Sequence, residues 1–190
     1  MSYTAAWAVT RMAWGLSAHD VVAGHAVASE YRSMMSRFPT GVAVVTSVDR
    51  DGTPRGMTCS SLTSICVKPP TLMVCLRTES ATFAAIRESN TFAVNILSEQ
   101  SQETAELFAS RTGDRFVSVS WRHSAGGLPW LTACAIASAD CTVAQVIEVG
   151  DHAAAFGEVR NTSLGEGSPL LYGLRSYARW RLQDHRRTAT

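Results

Sequence analysis

Apolar positions change period several times along the chain, and each change marks an element. From Val21 to Phe38 the residues Ala28, Tyr31, Met34, Met35 and Phe38 recur at three- and four-residue spacings, which predicts a helix. Pro39 stops it, because the residue before a proline is pushed out of helical backbone. Gly41 to Val48 is rich in Val and Thr and reads as a strand. Asp49-Arg50-Asp51-Gly52 supplies a turn whose Asp-Gly pair tolerates positive φ, and Thr53 to Thr58 returns as the second arm of a hairpin. After a polar stretch and the short apolar run Ile65 to Val67, Pro69-Pro70 forces an extended turn into a strand at Thr71 to Leu76. Ser80 is an N-cap for a helix at Thr82 to Glu88 with Phe83 and Ile86 turned inward. Thr91 to Leu97 is strand-like, and Ser101 to Arg111 helical.

Beyond Phe116 strands resume at Trp121 to Ser124, Ala133 to Ala139, Cys141 to Val149 and His152 to Arg160, with a late one at Leu170 to Tyr172. Several short strands with turn signals roughly every ten residues predict a closed or nearly closed antiparallel barrel. The expected fold class is mostly β with flanking helices. Three segments follow: residues 1–29, a helical or partly ordered extension; residues 30–180, the barrel domain; and residues 181–190, an Arg-rich mobile tail. The extension lacks a basic n-region, and Arg11, His19 and Asp20 interrupt it, so it does not read as a targeting segment.

Composition narrows the function classes. A chain of 190 residues is expected to form one domain with its own core. A net charge of +1 removes the basic footprint of a nucleic-acid binder. No run of about 18 apolar residues suggests a membrane helix. Five cysteines, an odd number without C-x-x-C spacing, fit neither a zinc site nor a disulfide framework. Cys66, Cys75, Cys134 and Cys141 fall in apolar runs and read as small buried hydrophobes, which makes a reducing cytoplasm the simplest home. The five histidines are scattered, so no metal site is expected.

Dinucleotide, P-loop, nucleophile-elbow and H-E-x-x-H motifs are all absent. Three segments carry possible chemistry. Gly56-Met57-Thr58-Cys59-Ser60-Ser61 places hydroxyls, small side chains and N–H groups in one run, suited to a flat polar heterocycle or a phosphate. Such a Ser/Thr-rich run more often serves as a turn that satisfies its own backbone. Arg77 to Thr82 opens the second helix, where free N–H groups, Arg77, Ser80 and Thr82 could receive an anion; the alternative is a plain cap beside a solvated Arg. Gly150-Asp151-His152 could set an imidazole at a barrel mouth, or could be an ordinary hairpin turn. No Lys or His adjoins Cys59 to activate it, which favours a spacer over a reactive thiol.

Taken in order, a further set of segments resembles the flavin reductase-like, FMN-binding split-barrel family. They are Phe38 to Thr46, Gly56 to Ser64, Pro69-Pro70, Phe92 to Leu97, Arg115-Phe116, Gly150 to His152, Gly157 to Val159 and Leu170 to Tyr172. The likeness is to the short reductases that supply reduced flavin to two-component monooxygenases. It implies a Greek-key split β-barrel, a homodimer, FAD or FMN as loosely bound cofactor or substrate, NADH or NADPH as donor, and a separate flavin-dependent monooxygenase as partner.

By the same resemblance Thr40, Thr58, Cys59, Ser60 and Ser61 would meet the flavin, with Met57 behind the ring. Cys75, Leu76 and Arg77 would follow the ribityl chain, and Ser80 and Thr82 the phosphate, with Arg111 and Phe116 at phosphate and wall. Gly150, Asp151 and His152 would meet the nicotinamide nucleotide, His152 orienting it, since hydride transfer needs closeness and alignment more than an acid–base group. NADH is expected over NADPH because no Arg cluster stands near Gly150 in sequence. A flavin-retaining electron-transfer or redox-sensing protein is the alternative implied by the same likeness.

Overall fold

A computed structural model describes residues 10–11, 20–110 and 113–181, with side chains from Val27 onward. In chain order the elements are β1 (Thr10–Arg11), α1 (Asp20–Met35), β2 (Thr40–Gly41), β3 (Ala43–Val48), β4 (Pro54–Cys59), β5 (Thr63–Val67) and β6 (Pro70–Arg77). There follow α2 (Ala81–Ser89), β7 (Thr91–Leu97), α3 (Gln102–Ala109), a 3₁₀ turn (Arg115–Ser118), β8 (Trp121–His123), β9 (Pro129–Leu131), β10 (Ala135–Val149), β11 (His152–Leu164), β12 (Leu170–Gly173) and β13 (Ser176–Arg179).

The main sheet runs β4-β3-β7-β10-β11-β6-β5. Its ladders are antiparallel, except that β1 pairs parallel with β10 at Ile147 and Glu148. Both outermost strands, β4 and β5, are joined directly in sequence by Ser60 to Leu62, so the sheet curls until its ends approach. Ser61 bridges that gap: its hydroxyl receives the Cys75 N–H at 3.0 Å and donates to the Cys75 carbonyl at 3.1 Å. One hydroxyl thus substitutes for the ladder that β4 and β6 do not form.

Residues 42–47 are all buried, because β3 is covered on both faces. Ala43 and Val45 face the barrel interior with Phe83 and Ile86 of α2, Phe92, Val94 and Cys141. Val42 and Val44 face outward against Leu97, Phe108 of α3, Phe116 and Leu170. Close packing leaves no room at Gly157, where a Cβ would stand 2.5 Å from Phe92 Cζ and 2.8 Å from Cys141 Cβ. Gly157→Ala is expected to destabilise by about 1–3 kcal/mol through overpacking, measured as a lowered urea midpoint at unchanged slope. An unchanged midpoint would show that Phe92 can step aside.

Several expectations need correction. The strands expected at 133–139 and 141–149 are one continuous β10: Asp140 does not break it, because its carboxylate receives the Trp130 Nε1–H at 2.7 Å and a register shift absorbs the distortion. β9 and β13 are strands that the sequence pattern does not announce. β9 opens on a proline, and the β12–β13 turn uses Leu174 and Arg175 at φ of 52° and 59°, without a glycine to announce it. Within the 1–29 extension, residues 10–11 form the short strand β1 and α1 begins at Asp20; the other residues up to 19, and the tail from residue 182, lie outside the described residues. The hydroxyl run is not a single loop, since Thr58 and Cys59 end β4.

Cys66 is exposed, because β5 is the outermost strand and has no cover, and Cys75 is half-buried. Cys59, Cys134 and Cys141 are buried, and burial raises all three thiols, Cys141 to about 12. A disulfide reagent at mildly alkaline pH should therefore modify Cys66 first and reach these three only after denaturation. Rapid reaction of any of the three in native protein would contradict the packing described.

Candidate functional site

The end of β4 meets α3 at Gly56 and Thr58. Gly56 is required there, since a Cβ would lie 2.8 Å from Phe108 Cε1. Thr58 Oγ1 donates to the Ala105 carbonyl of α3 at 2.6 Å. Across a gap from this seam stands the start of α2. Ser80 Oγ receives the Phe83 N–H at 3.1 Å and donates to the Arg77 carbonyl at 2.8 Å. No acceptor among the described residues takes the Ala81 and Thr82 N–H groups, as expected in a first helical turn. The gap is a cleft of about 480 Å³ lined by Met57, Thr58, Arg77, Ser80, Thr82 and Arg115, with Glu79, Ala81, Phe108, Ala109 and Ser110.

Arg115 forms one wall. Its Nη1 donates to the Gly56 carbonyl at 2.6 Å and its Nη2 to the Ser110 carbonyl, while Nε is buried without a partner. Two more hollows continue the cleft. One, about 410 Å³, shares Ala81, Thr82 and Arg115; the other, about 460 Å³, shares Thr58 and Ala109 and adds Ser60, Gln102, Glu106, Tyr172, Arg175 and Tyr177. Burial raises the Tyr177 phenol, and the nearby Glu106 charge adds to the shift.

The turn at Gly150, with φ of +59°, leads into β11 so that His152 pairs with Arg77 in the ladder. Thr78 N–H reaches the Asp151 carbonyl at 3.0 Å, fixing the turn beside the α2 start. His152 Nδ1 lies 2.7 Å from Asp151 Oδ1, and Arg77 Nη2 lies 3.9 Å from Asp151 Oδ2. The hydrogen bond and charge of His152, then Arg77, hold the Asp151 carboxyl below its ordinary range. A depressed value means that these contacts persist above it and are lost as pH falls through it. The ladder also brings one arginine, Arg77, beside the Gly150 turn, where it faces Asp151.

The structure thus gathers Met57, Thr58, Arg77, Ser80 and Thr82 in one cleft, with Gly150, Asp151 and His152 against Arg77. Ser60 lies in the continuation past Thr58, and Thr40 pairs with Tyr172 at the edge of that continuation. The Leu76 side chain is fully buried and that of Cys59 nearly so, leaving them no contact with the cleft. Ser61 and the Cys75 backbone are committed to each other. Phe116 is mostly buried, edge-on to Phe108 at 5.2 Å and to Trp121 at 5.5 Å, and it lines the hollow of about 410 Å³ beside Arg115, at the wall where it is expected. Arg111 lies outside the described residues. Arg115, the neighbour of Phe116, is a site residue that the sequence alone does not single out; Gly113 at positive φ and Asp114, whose carboxylate accepts the Phe116 N–H, mark the turn that places it.

The uncapped N–H groups at the start of α2, the charge of Arg115 and the polar lining from Thr58 to Ser80 suit a flat polar ring that carries a phosphate. Among the described residues no cluster of ligands could hold a metal ion.

The flavin reductase like domain matches residues 35–181. A flavin reductase (NADPH) of Lentzea aerocolonigenes is 46% identical over 162 residues, covering 85% of this chain and 95% of its own. The reductase subunit HsaB of a flavin-dependent monooxygenase from Rhodococcus jostii is 38% identical over 160 residues, 80% of this chain and 81% of its own. Among solved structures, the Streptomyces globisporus C-1027 NADH:FAD oxidoreductase SgcE6, in complex with NAD and FAD fragments, superposes with a TM-score of 0.77 at 28% identity, over 90% of this chain and 99% of that one.

Proposed function

Because the chain belongs to the flavin reductase like domain family, we propose that it is an NAD(P)H-dependent flavin reductase that reduces FMN or FAD and releases reduced flavin to a separate monooxygenase. The observation that carries this reading is the meeting of two segments: the anion-receptive start of α2 and the Asp151–His152 turn, with Arg77 common to both. In this reading the Ala81 and Thr82 N–H groups, Ser80, Thr82 and Arg115 hold the flavin phosphate, Arg115 joining the residues that the resemblance implies. Met57, Thr58 and Ser60 lie along the ring. When bound, flavin supplies the hydride acceptor. The protein's work is placement: His152, held by Asp151, orients the nicotinamide toward the ring.

The coenzyme is NADH or NADPH, with NADH kept as the expected donor, since Arg77 beside the turn is a single arginine that already faces the Asp151 carboxylate. We further propose a homodimer, supported by exposed Tyr31, Met34, Met35 and Phe38 around α1 and by Tyr172 and Leu174 on the neighbouring hairpin. A reducing cytoplasm fits the five unpaired cysteines. No helix among the described residues is long and apolar enough to cross a membrane. The barrel domain, residues 30–180, carries the whole activity in this reading.

The test is steady-state coenzyme oxidation by purified protein with FMN, FAD or riboflavin added in turn. Oxidation that saturates with added flavin is expected. Protein that stays yellow through purification and does not oxidise coenzyme would instead make it a flavin-retaining carrier.

A further inference from the structure

We propose that the short strand β1 positions the Gly150–His152 turn, so that it governs coenzyme affinity and not flavin affinity; the inference rests on the flavin-reductase reading above. β10 outruns its neighbour: its ladder with β7 ends at Thr142, and the Val143 N–H turns to the Asn90 carbonyl at 3.0 Å. From there to Val149, the only strand that pairs with this edge of β10 among the described residues is β1. It runs parallel, Thr10 opposite Ile147 and Arg11 opposite Glu148. These rungs lie at the far end of the open stretch, next to Val149, which pairs with His152 across the turn. β1 therefore sits where the hairpin projects toward the coenzyme.

The turn itself is Gly150-Asp151, a two-residue loop with glycine at positive φ in its first position. Its β11 side is fastened. Thr78 donates both its N–H and its hydroxyl to the Asp151 carbonyl, at 3.0 Å and 3.2 Å, and His152 pairs with Arg77. Its β10 side rests on β1. An open strand edge frays unless another strand takes its main-chain groups. Parallel pairing uses the backbone alone, so residues 10 and 11 act through their main chain. Every group that meets flavin or coenzyme stays in the barrel. β1 sets the fraction of time that Asp151 and His152 are in place, and apparent affinity falls in proportion to that fraction.

The experiment compares the full chain with two double variants. Thr10→Pro with Arg11→Pro removes both strand N–H groups, whereas Thr10→Ala with Arg11→Ala keeps them. Two readouts are taken: steady-state KM values for NADH, NADPH and FMN, and amide hydrogen exchange along the chain. The proline variant should raise the coenzyme KM about fivefold, as for a turn in place about one-fifth of the time, with kcat and the KM for FMN unchanged. Exchange over residues 146–152 should quicken while that of β7 holds, and the alanine variant should match wild type. An unchanged coenzyme KM in the proline variant overturns the inference, and so does an equal rise in the KM for FMN. A rise shared by the alanine variant also overturns it, since side chains would then be the cause. Faster exchange throughout the barrel does the same, making β1 a general staple. Each of these outcomes leaves the reductase reading in place. No oxidation of either coenzyme by wild type overturns that reading and this inference with it.

Discussion

Asn95→Ala is expected to lower stability by about 3–4 kcal/mol, and to shift the melting temperature by roughly 10 °C in a chain of this size. Asn95 is fully buried in β7 and serves three strands at once. Its Oδ1 receives the Leu131 N–H at 2.9 Å and the Ser138 hydroxyl at 3.0 Å. Its Nδ2 donates to the Val44 carbonyl at 3.3 Å and to Thr46 Oγ1 at 3.2 Å, with the Pro129 carbonyl at 3.4 Å. Truncation strands a buried backbone N–H and opens a polar cavity, whereas Ser138→Ala removes one rotatable donor and should cost only about 1 kcal/mol. The contrast between the two variants is the check. If both shift the melting temperature alike, the amide is not the hub described.

The consequence reaches the cleft. Asn95 and Thr46, whose hydroxyl donates to the Pro129 carbonyl at 2.6 Å, tie the β8–β9 hairpin to the barrel. That hairpin carries Trp121, which packs edge-on against Phe116 and so seats the neighbouring Arg115. A folded but loosened Asn95 variant should therefore also bind FMN less tightly.

Arg115→Ala should raise the KM for FMN and FAD by about 10–100-fold and change that for riboflavin less than about threefold. The guanidinium makes no ion pair within the described residues and lines the cleft beside the start of α2. A charge-assisted bond to phosphate is worth roughly 1.5–3 kcal/mol, which sets the size of the effect. Riboflavin has no phosphate and cannot feel that loss. The variant also forfeits bonds to the Gly56 and Ser110 carbonyls, so a modest fall in melting temperature accompanies it. Equal losses for riboflavin and FMN would make Arg115 a structural strut alone.

Local chemistry made much of this legible from sequence. Pro39 ends α1 within a few residues of its stop, Gly52 takes a positive φ in the first hairpin turn, and Ser80 caps α2 through its own hydroxyl. Hidden features depend on partners distant in sequence. Asp140 looks like a strand breaker until Trp130 is placed against it. Leu174 and Arg175 turn a hairpin in left-handed backbone that their side chains disfavour. Ser61 looks like a ligand-facing hydroxyl, and only barrel closure shows that Cys75 claims it. Arg77 and His152 are neighbours solely through the ladder between β6 and β11.

The central claim is that this chain brings a reduced nicotinamide and a flavin together closely enough for hydride transfer. Its most direct test is anaerobic mixing of the protein and FMN with limiting NADH, and separately NADPH, while the flavin's visible absorbance is followed. Bleaching of one flavin per coenzyme consumed, far faster than without protein, is the predicted result. A visible band that persists with both coenzymes, in protein shown to bind FMN, would contradict it.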